Sequence, residues 1–330
     1  MRKINAAVVG LGVGYFHAKS IINHKNYNLK KVYDVDKKKI KKFKDEYEKV
    51  IITSNFKEII NDKDIELICI ATHDNDHFKH IKEALKLNKN IFVEKPICVN
   101  FKQFKSLEKI LNKKPNIKIS SNFVLRCHPS IIRLKEFIKK GLIGDVYYIE
   151  GDYNYGRLNK ITDGWRSKQR NYSVFLGGGI HLFDLINYIL DFKKIKSYNS
   201  IGNKIATKKT KFKYEDFKLL SIKYTDDIIS KISSNFGCVY PHSHFLKVYG
   251  TKGTFFMNYK EEIFVRNLSG KFIFKNKKIV ACNAYKNEPL NSFLNFICNN
   301  NKKSKPIVSK KELLNLTKFS TIINENKKIK

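Results

Sequence analysis

The 330-residue chain contains no apolar run approaching the roughly 18 residues of a membrane-spanning helix. It has no C-x-x-C pair; its six cysteines (69, 98, 127, 238, 282 and 298) are scattered. That spacing argues against a disulfide framework and fits reduced thiols. Arginine is scarce, seven of the 65 basic residues, and acid is scarce as well: 30 Asp and Glu leave a net charge of +35. The excess is lysine spread along the whole chain. With Asn and Ile also abundant, it reads as AT-rich coding bias. Base readout and bidentate phosphate contacts favour Arg, and no recognition motif is present. No specific nucleic-acid partner is therefore expected, only sticking to anions at low salt. Met1-Arg2-Lys3 leads straight into an apolar strand, so no secretory leader and a cytoplasmic location are expected.

What is present has a clear rhythm. Hydrophobic content of 42% is ordinary, and the length suits one or two domains with a sizeable core. Up to about residue 121 apolar strands alternate with helical segments: strands at 6–9, 29–33, 50–52, 65–71, 90–93 and 117–121, helices at 15–22, 37–47, 55–60, 76–87 and 100–111, the last capped by Asn100. This predicts a doubly wound parallel sheet, with ligands outside the carboxyl ends of its strands. Beyond it, Pro129 opens a helix to Lys140, closed by Gly141 and Gly144. A strand follows at 145–153, then a polar loop from Gly156 to Ser173. An apolar helix runs from Leu176 to Leu190. Alternating strands then follow one another without an intervening helix (219–224, 228–236, 245–249, 254–259, 263–266 and 271–274), which predicts an antiparallel sheet. Helices over 289–298 and 310–326 end the chain. The expected fold is thus α/β: a Rossmann domain over 1–121 and an α+β domain with a large, mainly antiparallel open sheet over 122–330, its C-terminal helix able to pack back on the first domain. There is no internal repeat.

The stretch Ala6-Ala7-Val8-Val9-Gly10-Leu11-Gly12-Val13-Gly14 is the strongest local signal. Small apolar residues form a buried strand. Gly10, Gly12 and Gly14 turn the chain and let the backbone at Val13 approach a pyrophosphate, and the following helix N-terminus adds N–H groups and a positive dipole end. Asp34, ending the next apolar run, stands where a ribose-binding acid is expected about 20 residues on. With no Arg after it, NAD is favoured, and NADP remains open. The spacing is G-x-G-x-G, one residue shorter than G-x-G-x-x-G. A tight strand-to-helix turn needs glycine whatever it binds; the strand before, helix after and acid downstream are what point to a dinucleotide. Two loops at strand ends carry unusual residues: Thr72-His73-Asp74-Asn75-Asp76-His77 and Glu94-Lys95-Pro96. Most lysines here are solvated, but Lys95 at a strand end, held by Pro96, reaches the nicotinamide crevice. His73, His77 and His80 are spaced to put two imidazoles on one helix turn, but without a nearby Cys no metal site is expected.

Together these residues resemble the glucose–fructose oxidoreductase / inositol dehydrogenase (Gfo/Idh/MocA) family. Gly10-x-Gly12 with His17-Ala18 is similar to its cofactor turn, Thr72 and His77 to its loop after the fourth strand, with His73 where Pro is usual, and Glu94-Lys95-Pro96 to its E-K-P signature. Asn122, Arg126 and Pro129 resemble the entry to its second domain, Gly178 to Asp184 its catalytic helix, and Val248 to Thr254 a strand–turn–strand of its open sheet. The resemblance implies NAD(P)-dependent hydride transfer on a sugar or nucleotide-sugar hydroxyl or ketone, as in polysaccharide biosynthesis. His181 would be the acid/base and Lys95 the hydrogen-bonding partner of the same oxygen. Gly10, Gly12, Val13, Gly14, Asp34, Thr72, His77, Glu94 and Lys95 would hold the cofactor. Asn122, Arg126, Tyr153, Arg157, Trp165, Arg166 and Asp184 would meet substrate, although Trp165 also suits a core position and Asp184 a helix start. One departure stands out: the family's Asp four residues before the helix His is Gly177 here. A homodimer or homotetramer through the outer face of the second sheet is expected, with no membrane partner. A non-catalytic NAD-binding sensor on the same fold is the alternative; retention of both Lys95 and His181 argues against it.

Overall fold

The computed structural model describes residues 2–268, 270–279, 284–299 and 305–329; Cys282 lies outside them. The chain divides into two compact units, Met1–Val124 with Lys286–Thr321, and Leu125–Tyr285 with Ile322–Lys330.

In the first unit six parallel strands alternate with helices: β1 (Ile4–Val9), α1 (Gly14–Ile22), β2 (Tyr27–Tyr33), α2 (Lys37–Glu46), β3 (Ile51–Thr53), α3 (Phe56–Ile60), β4 (Leu67–Ile70), α4 (Asp74–Lys86), β5 (Asn90–Val93), α5 (Phe101–Lys113) and β6 (Ile119–Ser121). The sheet order is β3-β2-β1-β4-β5-β6, the Rossmann arrangement the β-α rhythm predicts. Val8, Leu67, Cys69 and Phe92 are fully buried because helices cover both faces of such a sheet; burying each large side chain contributes about 1.5–3 kcal/mol. Asn100 caps α5 by accepting from Gln103 N at 2.9 Å. Leu290, Phe293 and Leu294, late in the sequence, join this core.

The second unit holds α6 (Pro129–Lys139), β7 (Val146–Asn154), α7 (Asn159–Thr162), α8 (Ile180–Ile189), β8 (Ile195–Asn203), β9 (Phe217–Tyr224), β10 (Ile229–Asn235), β11 (Ser243–Gly250), β12 (Gly253–Met257), β13 (Glu261–Leu268) and β14 (Lys271–Lys278). Its eight strands run in the order β14-β13-β12-β11-β7-β10-β9-β8. The sheet is mainly antiparallel, as predicted, with one exception: β10 runs parallel to β7. The crossover through α8 returns the chain to its starting end, so the direction of β7 repeats two hairpins later. Strand β8 has no counterpart in the sequence reading; as an edge strand it is mostly exposed, and its alternation is polar on both faces. The last two helices are α9 (Glu288–Cys298) and α10 (Lys310–Asn324); α9 and α10 as far as Thr321 belong to the first unit. Cys69, Cys98, Cys127, Cys238 and Cys298 are free thiols. No helix among the described residues is long and apolar enough to cross a membrane.

Candidate active site

In the first unit the carboxyl ends of β1, β4, β5 and β6 lie side by side, so the residues that follow them converge. Gly10 has φ +95°, and a Cβ there would meet the Ala71 carbonyl oxygen at 2.5 Å. Position 10 therefore demands glycine for both its torsion and its closeness to the next strand. Around Gly12 a Cβ would meet nothing within 4 Å, which leaves bare, open backbone at the turn. Gly14 begins α1 against Val8 and Ala71, where a Cβ would stand 3.0–3.1 Å from their side chains. Deleting one residue from the usual spacing thus keeps all three glycine roles: turn, open approach and close helix packing. Val13 is half exposed beside them.

Asp34 is buried and tied to this turn. Its Oδ2 accepts from Leu11 N at 2.6 Å and its Oδ1 from Asp36 N at 2.8 Å. The acid is thus held in place by backbone from both sides, with its charge fixed at the tip of β2.

Glu94 organises the other end. Its Oε1 accepts from His17 Nε2 at 2.9 Å and from Asn122 Nδ2 at 2.7 Å. Burial, the largest single influence, pushes the Glu94 carboxyl upward, but His17, Asn122 and the neighbouring Lys95 charge outweigh it and hold the group below its usual range. Asn122 Oδ1 is buried with no hydrogen-bond partner among the described residues. An orphaned acceptor on a side chain held by Glu94, at the carboxyl end of the sheet, is what a bound polar ligand would satisfy. His17 was visible in the sequence only as part of the cofactor turn; its partner lies 77 residues away. Lys95 is half-buried, and its bond to Pro96 is cis.

His77 and Thr72 make hydrogen bonds within and beside the loop after β4. The His77 ring is buried between two carbonyl oxygens, Pro96 O at 2.7 Å and Thr72 O at 3.1 Å. It braces the loop after β4 against the one after β5. Thr72 Oγ1 shares a 3.1 Å hydrogen bond with His80 Nδ1. Burial pushes His80 down to about 4. These histidines bind carbonyl and hydroxyl groups, and no group of three or more His, Cys, Asp or Glu among the described residues is arranged to hold a metal.

In the second unit, Phe175–Gly179 forms a wide π-type turn leading into α8, so the regular helix starts at Ile180 rather than Leu176. Its glycines are packing sites: a Cβ on Gly178 would collide with the Tyr153 ring, one on Gly179 with Ser234 Oγ, and one on Gly177 with the Tyr172 hydroxyl. His181 opens the helix, half-buried, its ring centroid 6.1 Å from that of His244. Tyr153 lies against His244 at 5.0 Å and against His242 at 5.4 Å. Burial pushes the Tyr153 phenol up. Burial, then the charge of Arg157, pushes His242 down to about 4.

Arg157 stacks over the Tyr155 ring at 4.5 Å. Arg166 stacks over Trp165 at 4.5 Å and donates from Nε to the Tyr172 hydroxyl at 3.1 Å. Tyr153, Arg157, Trp165 and Arg166 are therefore brought together, through Tyr155 and Tyr172. Tyr172 was not singled out in the sequence, where nothing marks it among the residues of a polar loop. Arg126 and Asp184 do not join this group. Arg126 donates to Asp184 from Nε at 3.1 and 3.0 Å and from a terminal nitrogen at 2.6 Å, with side-chain exposures of 0% and 1%. They are buried against each other rather than open to a ligand, because neither charge is tolerable in the interior without the other.

The two halves also match known proteins. The model of an oxidoreductase family with an NAD-binding Rossmann fold matches residues 4–123, and that of the GFO/IDH/MocA C-terminal domain matches residues 131–256. The chain is similar to the uncharacterized oxidoreductase YrbE of Bacillus subtilis, 22% identical over 281 residues, 84% of this chain and 80% of that protein. It is 25% identical to the inositol 2-dehydrogenase of Salmonella typhimurium over 203 residues, 61% of this chain and 56% of that protein. A solved structure of levoglucosan dehydrogenase in complex with NADH and L-sorbose has the same fold, with a TM-score of 0.83 at 16% identity, covering 99% of this chain and 97% of that one. Since the domain models of a single family match both halves in order, the chain belongs to the Gfo/Idh/MocA family of NAD(P)-dependent oxidoreductases.

Proposed function

We propose that this protein transfers a hydride between NAD and a hydroxyl or ketone carbon of a sugar or nucleotide-sugar, with His181 as the acid/base and Lys95 as its assistant. The observation that carries the cofactor half is the cradle: open backbone at Gly12, Asp34 fixed beside it, and the unsatisfied Asn122 Oδ1. These fit a dinucleotide, with Gly10 to Gly14 at the pyrophosphate and Asp34 at the adenosine ribose. When bound, the nicotinamide supplies the hydride chemistry.

The chain's own residues handle the proton and the charge. In the oxidation direction His181 takes the hydroxyl proton as the C–H bond breaks; in reduction it returns that proton to the carbonyl oxygen. A half-buried imidazole at a helix start suits both directions. Lys95 donates a hydrogen bond to the same oxygen and stabilises its negative charge as it develops. Glu94 fixes the backbone carrying Lys95 through His17 and Asn122. Stacked aromatics and arginines around Tyr155 suit a sugar face and a diphosphate. The free thiols agree with a cytoplasmic site of action. The exposed Phe272 and Phe274 on β14 and Tyr147 on β7 agree with pairing of subunits through the second sheet.

The test is a substrate screen following nicotinamide absorbance, with UDP- and dTDP-sugars beside free sugars and inositols. Turnover that His181→Ala and Lys95→Ala each reduce by about 100-fold or more supports the assignment. NADH binding without turnover of any of them would favour the sensor; full turnover by His181→Ala would remove the acid/base role.

A further inference from the structure

Lysine carries most of the positive charge of this chain, and a lysine ammonium ordinarily stays in water. Two lysines among the described residues are buried, Lys89 and Lys218, each 7% exposed. Burying an ammonium is costly unless its N–H donors are used. Lys89 uses them: it donates to the carbonyl oxygens of Asp62 at 2.8 Å and Ile65 at 2.6 Å. Lys218 is less well served. Its ammonium donates to Glu215 Oε2 at 3.3 Å and makes no other hydrogen bond among the described residues.

The position of Lys218 sharpens the question. It lies on the buried face of β9, in line with Leu220, Ile222 and Tyr224. In register it stands opposite Gly202 of β8 and the buried Ser234 of β10. An apolar side chain would complete that face without any charge to desolvate. Glu215 is an incomplete partner, because its side chain is 47% exposed, and an ion pair with one member in water contributes little.

Lys218 lines a cavity of about 400 Å³, within the ~300–1,000 Å³ range of small-molecule sites. Lys213 brings a second ammonium to it, and Asn171 and Ser173 line it from the loop before α8. Ser173 Oγ accepts from Leu176 N at 3.2 Å, which leaves its own O–H to donate. Tyr214 fastens the two walls together: its hydroxyl donates to Gln169 O at 2.9 Å and accepts from Asn171 N at 2.8 Å. None of the residues given above to the cofactor, the proton or the substrate lines this cavity.

We propose that the cavity binds a small oxyanion, a phosphate or carboxylate group, held by Lys218 and Lys213 with Ser173 donating beside them. Two ammonium groups repel a cation, and a neutral ligand would leave the Lys218 charge uncompensated. An anion bound there also braces residues 171–174, which lead into the turn before α8; Ser173 O already accepts from Gly177 N at 2.8 Å.

A chain of net charge +35 attracts anions over its whole surface, so the test separates one site from general attraction. The full-length protein is titrated calorimetrically at physiological salt with inorganic phosphate, glucose 6-phosphate and succinate, and with glucose as the neutral control. One saturable site per chain is expected for at least one of the anions and none for glucose. Lys218→Met, an apolar side chain suited to the buried face, should weaken binding by about tenfold or more, the worth of a charge-assisted hydrogen bond. Lys275→Met removes the same charge from the exposed strand β14 and should leave binding unchanged. Both variants should bind NADH like the wild type, which shows they are folded, and added anion should raise the melting temperature of the wild type but not of Lys218→Met. A response to succinate alone assigns the group as carboxylate, one to the two phosphates alone assigns it as phosphate, and one to all three assigns the oxyanion they share. No saturable site for any anion, equal weakening by Lys218→Met and Lys275→Met, or binding that Lys218→Met leaves intact overturns the site. None of these readings requires turnover, so failure of the dehydrogenase assignment is seen separately in the substrate screen.

Discussion

The buried pair between Arg126 and Asp184 offers the sharpest test of the structure, because two roles for it predict opposite results. Asp184 follows His181 by three residues and can be read from sequence as a substrate ligand. In the structure its side chain is 1% exposed and receives hydrogen bonds from both Nε and a terminal nitrogen of an Arg126 side chain that is 0% exposed. The guanidinium also lies over the Tyr188 ring at 4.8 Å and the Phe192 ring at 5.3 Å. Asp184→Asn removes the carboxylate and leaves a cation with no water to solvate it. Breaking such a buried pair costs about 3–5 kcal/mol. For a unit of this size about 2–4 °C is lost per kcal/mol, so the thermal midpoint of the second unit should fall by about 6–20 °C. Replacing both partners with apolar residues, Arg126→Met with Asp184→Leu, removes the stranded charge and should recover most of that loss. The assay is calorimetric melting of the wild type, the single variants Asp184→Asn and Arg126→Met, and the double variant. A fall of less than about 2 °C in Asp184→Asn, or a double variant no more stable than the singles, refutes the structural role. If Asp184 instead bound substrate, the single variant would keep its melting temperature and lose kcat/KM.

Other perturbations address the cofactor cradle and the acid response. Gly10→Ala places a methyl group 2.5 Å from the Ala71 carbonyl at φ +95°; the torsion alone costs about 1–2 kcal/mol, and NADH titration should show at least about tenfold weaker binding, an unchanged Kd counting against the cradle. Asp34→Asn keeps the shape that Leu11 and Asp36 hold but removes the charge that repels a 2′-phosphate. The ratio of kcat/KM for NADPH to that for NADH should rise by about tenfold or more; an unchanged ratio would show that Asp34 does not read the ribose. His128 caps α6 by accepting from Ser130 N at 3.0 Å, and burial pushes it down to about 4. Its pKa in the unfolded chain is near 6.5, so the unfolded state takes up a proton first as pH falls. The stability from neutral His128 is present above about pH 6.5 and is lost between there and about pH 4. His128→Asn, a cap that does not titrate, should flatten the decline in melting temperature from pH 7.5 to 5; an identical slope would place the acid sensitivity elsewhere, in His80 or His242.

Much of the first unit could be read directly from residue order. Four small apolar residues before a glycine turn, a capping Asn before an amphipathic segment, and strands that are apolar on both faces are local patterns, and local backbone preference is enough to generate them. The same holds for Glu94-Lys95-Pro96, which any strand ending at Val93 would deliver to the carboxyl edge of the sheet. Hairpins without intervening helices made the second sheet predictable as mainly antiparallel.

Partner choice across long separations was decided only by the tertiary structure. Sequence showed His17, Glu94 and Asn122 but not that one carboxylate would bind the other two. It showed Arg126 and Asp184, 58 residues apart, but not that each would neutralise the other. It showed a glycine at 177, while the reason for it, a tyrosine hydroxyl arriving from the preceding loop, appears only once both are packed. The parallel β7–β10 pair and the inclusion of residues 286–321 in the first unit belong to the same class. Periodicity constrains which face of an element is buried; which distant group that face meets depends on the free energy of packing the whole unit, and no short window of sequence contains that information.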